Sequence, residues 1–148
     1  MNDLSHTHMR AAVWHGRNDI RVEQVPLPAD PAPGWVQIKV DWCGICGSDL
    51  HEYVAGPVFI PVEAPHPLTG IQGQCILGHE FCGHIAKLGE GVEGYAVGDP
   101  VAADACQHCG TCYYCTHGLY NICERLAFTG LMNLSLIHIS EPTRPERI

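Results

Sequence analysis

Between Trp35 and Trp42 apolar and polar side chains alternate strictly. Val36, Ile38, Val40 and Trp42 fall on one face, and Gln37, Lys39 and Asp41 on the other. A period of two marks a strand with one buried side, so this segment is expected to be a strand with those four residues in the core. Shorter apolar runs at 10–14 and 20–25 predict two more strands, joined through the turn formers Gly16 and Asn18-Asp19. Residues 81–88 predict a further strand, and 97–103 another that Pro100 interrupts. Residues 49–54 predict a short helix capped by Ser48. Residues 26–34 hold four prolines and read as a loop, as does the long Pro-rich stretch 57–74. Many short strands separated by Gly and Pro, with few helices, point to a mainly β fold with short helices, built as a partly closed β-barrel.

Composition narrows the class. The chain has 148 residues, 46% apolar and 16% charged, which argues for a packed domain rather than disorder. Sixteen acidic against eight basic side chains give a net charge of −8, which opposes nucleic-acid or anionic-membrane partners. No apolar run approaches the roughly 20 residues of a membrane span. The opening MNDLSHTHMR shows no basic stretch followed by an apolar one, so a cytoplasmic location is expected. Nine cysteines, an odd number, together with ten histidines then suggest metal rather than disulfides. Residues 1–8 carry no pattern and are expected to be a disordered leader, with His6 and His8 not read as ligands. From Leu134 the chain reads LSLIHISEPTRPERI, whose first eleven residues resemble the conceptual translation of a transposase-type sequencing adapter. Residues 134–148 are therefore expected to be a non-native tail, leaving 9–133 as the natural domain.

Two constellations carry chemistry. Cys109, Cys112, Cys115 and Cys123 stand as C-x2-C-x2-C-x7-C. Four thiolates so spaced suit a tetrahedral zinc with no open position, hence a structural role, although an iron–sulfur cluster would use similar ligands. Cys106 and His108 crowd the same loop and read as bystanders, although Cys106, with two residues between it and Cys109, could compete as a ligand. The second group is Cys46, His79 and Glu80. Its soft, borderline and hard donors leave room for an open zinc position. Cys43 and Cys75 read as small apolar fillers. The run Gly89-Glu90-Gly91-Val92-Glu93-Gly94 spells a dinucleotide-binding fingerprint. Gly98-Asp99-Pro100 follows too soon for the required helix, so the run reads as a turn between strands.

These residues also resemble a family. Gly78-His79-Glu80-x2-Gly83-x5-Gly89-x2-Val92 is similar at every fixed position to the zinc-containing alcohol dehydrogenase signature of the medium-chain dehydrogenases/reductases. Gly44-Ile45-Cys46-Gly47-Ser48-Asp49-Leu50-His51 resembles the motif of its first zinc ligand, and the four-cysteine loop resembles its structural zinc lobe. Within the family, Gly56-Pro57-Val58-Phe59-Ile60-Pro61 and His66-Pro67-Leu68-Thr69-Gly70 look most like 2,3-butanediol dehydrogenases. The resemblance implies a GroES-like catalytic domain over 9–133, with the nucleotide-binding Rossmann domain and one catalytic ligand downstream.

It further implies Cys46, His79 and Glu80 as ligands of a catalytic zinc, and Cys109, Cys112, Cys115 and Cys123 as ligands of a structural one. Ser48 would take the proton of the alcohol, and His51 would pass it toward solvent through the ribose of NAD, so both also touch the cofactor. Zinc acidifies a bound hydroxyl enough for this near neutral pH. The implied activity is NAD-dependent oxidation of a secondary alcohol or vicinal diol, with 2,3-butanediol/acetoin interconversion foremost. The implied partners are that small substrate and further copies of the longer enzyme, and the 148-residue chain alone is expected to be inactive. The competing class is a non-catalytic zinc-binding module, a metal sensor or protein-interaction domain. Such a module would need only the four-cysteine loop and would leave Cys46, Ser48, His51 and His79 unexplained.

Overall fold

The computed structural model describes residues 7–133 and the backbone of Ile139–Ser140. The rest of the expected leader and tail lies outside the described residues. The strands are β1 (His8–Gly16), β2 (Asp19–Pro26), β3 (Trp35–Gly44), β4 (Cys75–Ile76), β5 (Glu80–Leu88), β6 (Pro100–Ala102), β7 (Cys106–Gln107), β8 (Ala127–Phe128) and β9 (Ile139–Ser140). Two short helices, α1 (Gly47–Ala55) and α2 (Tyr113–Thr116), and a 3-10 turn at Tyr120–Ile122 complete the described elements. The strands pair as three antiparallel sheets in the orders β2-β1-β4, β6-β5-β3-β9 and β7-β8. Among the described residues no ladder joins the sheets into a closed barrel.

The first hairpin forms where expected, and Asn18 takes the left-handed conformation (φ 58°) that its short polar side chain tolerates. β1 begins at His8, one residue inside the expected leader, and pairs there with Pro26. Pro100 opens β6 instead of interrupting a strand over 97–103. It pairs with His84 on the sheet edge, where a residue without an N–H is tolerated.

β3 needs a larger correction. Val36 and Ile38 are buried and pack with Phe81 and Ile85, as the alternation implies. Trp42, expected in the same core, is 78% exposed. The β3–β5 register slips between Val40 and Trp42, leaving Asp41 as an extra residue. One inserted residue reverses the facing of everything beyond it. Close strand contact accompanies the slip, because a Cβ on Gly83 would sit 2.0 Å from the Lys39 carbonyl oxygen. The pairing ends at Cys43↔Phe81 and Gly44↔Glu80, so the ladder delivers the loop after β3 directly beside His79 and Glu80.

The stretch 57–74 has no helix or strand, as expected, yet it is not a surface loop throughout. Ile60 and Ile71 are buried with Trp14 and Cys75 in a second core beneath α1. No described helix is long and apolar enough to cross a membrane. The 89–94 glycine run lies in the β5–β6 connection, with no helix behind it.

Candidate metal centres

The first centre forms where the β3–α1 junction meets the start of β5. Cys46 is the N-cap residue of α1, a correction to the expected Ser48 cap. The side chain of Asp49, three residues on, closes this first turn by accepting the Cys46 N–H at 2.9 Å. Ser48, freed from capping, bonds His79 Nε2 through its hydroxyl at 3.0 Å. One donor atom each from Cys46, His79 and Glu80 lies within 4.8 Å of the others, so the structure brings the three candidate ligands together. His51 lies exposed on α1, one turn after Ser48.

Asp49 is the residue of this centre that the motifs alone did not single out. It is buried at 8% exposure, and its second oxygen, Oδ1, stands 3.4 Å from His79 Nδ1. Both atoms are buried without a hydrogen-bond partner. A proton on His79 Nδ1 would face the carboxylate and leave Nε2 as a lone-pair donor, the tautomer that a metal ligand requires. A soft thiolate, an imidazole backed by a carboxylate and a further carboxylate oxygen together fit zinc. Asp49→Asn is accordingly expected to weaken zinc here by about 10- to 100-fold while the four-cysteine set stays loaded. Chelator competition with a metal count per chain checks it. An apolar cleft of about 1040 Å³ opens alongside, lined among others by Ile45, Leu50, Tyr53 and Leu77.

The second centre is the lobe around α2. The sulfur atoms of Cys109, Cys112, Cys115 and Cys123 converge within 4.8 Å of one another, with separations of 3.4 Å (112–115), 3.9 Å (112–123) and 4.0 Å (109–115). A tetrahedron with metal–sulfur bonds of about 2.3 Å has edges of about 3.8 Å, so the set has zinc dimensions. Backbone amides tune it. The N–H groups of Cys109 and Arg125 point at Cys123 Sγ at 3.4 and 3.3 Å, and that of Cys112 points at Cys109 Sγ at 3.3 Å. The Thr111 backbone amide and hydroxyl, with the Cys112 amide, pull the Cys109 thiol down to about 5. Burial, then the neighbouring thiols of Cys112 and Cys123, push Cys115 up to about 12. Four thiolates this close cannot all ionise without a cation among them, and a divalent metal meets that need.

The remaining cysteines divide. Cys106 stands outside the four-thiol set, and burial followed by the Asp104 carboxylate pushes its thiol up to about 11. Cys75 is fully buried, as a filler should be. Cys43 is exposed instead and lines the cleft.

Residues 32–138 match the family described as Alcohol dehydrogenase GroES-like domain, five residues into the stretch expected to be a tail. The chain belongs to that family. The (R,R)-butanediol dehydrogenase of Bacillus subtilis (strain 168) is 50% identical over 126 residues, covering 83% of this chain and 34% of the relative. The X-ray structure of 2R,3R-butanediol dehydrogenase from Bacillus subtilis superposes with a TM-score of 0.74 at 49% identity, over 84% of this chain and 34% of that one. A cobalt- and zinc-bound thermostable alcohol dehydrogenase from Pyrobaculum aerophilum gives a TM-score of 0.68 at 30% identity, over 86% of this chain and 36% of that one. The chain thus spans about a third of the length of such relatives. Its GroES-like domain is that of the zinc-dependent alcohol dehydrogenases among the medium-chain dehydrogenases/reductases.

Proposed function

We propose that this chain is the zinc-bearing part of a longer NAD-dependent dehydrogenase that oxidises a secondary alcohol or vicinal diol, with 2,3-butanediol/acetoin as the foremost pair. The observation that carries the reading is the contact of Ser48 with His79 inside the Cys46–His79–Glu80 cluster. A structural zinc module has no use for a hydroxyl held against an imidazole beside a second set of metal donors. The resemblance to butanediol dehydrogenases over most of the chain supports the substrate class.

Cys46, His79 and Glu80 would hold the catalytic zinc, which acidifies a hydroxyl bound to it. Ser48 accepts the proton of the substrate hydroxyl, and His51, exposed one turn along α1, relays it toward solvent. Asp49 holds the His79 ring in the tautomer its ligand role requires. Cys109, Cys112, Cys115 and Cys123 would hold the structural zinc. NAD would be bound mainly by the remainder of the longer protein, with Ser48 and His51 reaching its ribose. The 148-residue chain alone has no turnover on this reading.

The test is NADH formation from 2,3-butanediol by the uninterrupted enzyme, with sorbitol as the comparison polyol and the 148-residue chain as control. Butanediol-dependent NADH from the longer protein alone supports the reading. A single tightly held zinc per chain, unchanged by Cys46→Ser and without alcohol-dependent NADH, makes it a non-catalytic zinc module instead.

A further inference from the structure

Glu52 belongs to neither metal centre, yet it is fully buried on α1, the helix that carries Ser48. Its Oε1 accepts the backbone N–H groups of Val58 (3.0 Å), Phe59 and Ile60 (3.0 Å), and Oε2 also accepts from Val58 at 3.1 Å. Its own carbonyl oxygen accepts the Gly56 N–H at 3.0 Å and the Trp14 indole N–H at 3.1 Å. The fit leaves no slack, since a Cβ on Gly56 would lie 2.5 Å from Oε2. Burying a carboxylate away from water costs several kcal/mol unless hydrogen bonds offset it, and here three convergent amides do so.

The groups that Glu52 ties together are the two arms of the candidate catalytic centre. One arm is α1, where Ser48 stands one helical turn before Glu52 on the same side. The other is the 57–74 connection, which Glu52 grips at its start. Its Ile60 packs with Ile71 and Cys75, and Cys75 lies four residues before His79. The contact made where the arms meet is Ser48 with His79.

We propose that Glu52 is a positioning residue that clamps the 57–60 backbone to α1 and thereby holds the Ser48 hydroxyl beside the Cys46–His79–Glu80 set, in place for its own proton transfer with the substrate. The proposal rests on the dehydrogenase reading only for its catalytic half.

The test uses the longer enzyme with Glu52→Gln, which keeps size but turns an NH2 donor toward the Val58 N–H. Glu52→Ala serves as a second variant. Hydrogen exchange at Val58, Phe59 and Ile60 should speed by at least about tenfold. The kcat should fall about tenfold, with KM for the alcohol within about twofold and both zincs retained, as expected when only the chemical step loses its geometry. In a Ser48→Ala background the same substitution should lose most of its effect on kcat, which a general loss of stability would not do. Wild-type exchange at the three amides, an unchanged kcat, or an undiminished effect without the Ser48 hydroxyl overturns the proposal. If the wild-type enzyme forms no NADH from any alcohol, the dehydrogenase reading fails on its own, and amide exchange alone then decides the clamp.

Discussion

Cys46→Ser is expected to lower turnover of the longer enzyme by at least about 1000-fold, the scale on which a metal-dependent hydroxyl activation is lost. The substitution changes one atom. It removes the soft donor from a set in which His79 and Glu80 alone remain, and a serine hydroxyl does not ionise near neutral pH as a thiol beside a metal does. The fold has little reason to change, because Cys46 meets Asp49 through its backbone N–H, which serine keeps. Zinc per chain should therefore drop from two to one, with the four-cysteine lobe still loaded and the melting temperature nearly unchanged. Metal analysis beside steady-state kinetics checks this, and wild-type-like turnover would remove Cys46 from the centre.

Cys112→Ser or Cys123→Ser is expected to act in the opposite order, through folding first. Both residues are buried in a lobe whose own sheet is the two-residue pairing of β7 with β8, far below what stands without help. Structural zinc supplies about 10–16 kcal/mol of apparent binding free energy in small zinc-dependent folds, so losing one of four thiolates removes most of what orders this segment. The lobe should lose its zinc and become open to protease between β7 and β8.

The damage should also reach the other centre. Gly130 packs so closely on Gly78 that a Cβ there would lie 1.9 Å from the Gly78 carbonyl oxygen, and Gly78 precedes His79. The Thr69 hydroxyl likewise donates to the Met132 carbonyl, tying the end of the lobe to the 57–74 connection. Turnover should fall together with the lobe, and limited proteolysis with a chelator titration separates this order of events from that of Cys46→Ser.

Much of the site was legible in one dimension because metal donors are chemically conspicuous and their spacing within a loop is nearly their spacing in space. The C-x2-C-x2-C-x7-C run needed only a local turn to become a cluster. Cys46 and His79, 33 positions apart, are grouped by donor chemistry and by resemblance, not by spacing. The distance between them is bridged by the β3–β5 register, which a sequence pattern does not reveal.

Legible along the chain is the local chemistry: the alternation of β3 up to Val40, the first hairpin, the four-cysteine donor set and the absence of a helix behind the 89–94 glycines. These depend on neighbours within a few residues. The outward facing of Trp42 came from the fold, because a single extra residue at Asp41 reverses a period-two pattern without leaving a mark in the composition. The fold also decided that Cys46, not Ser48, caps α1, that Asp49 stands between the Cys46 amide and the His79 ring, and that a Pro-rich stretch carries Ile60 and Ile71 into a core. The charge of Glu52 is the sharpest case. On a short helix it looks like a surface residue, and only the return of the 58–60 amides onto it makes its burial affordable.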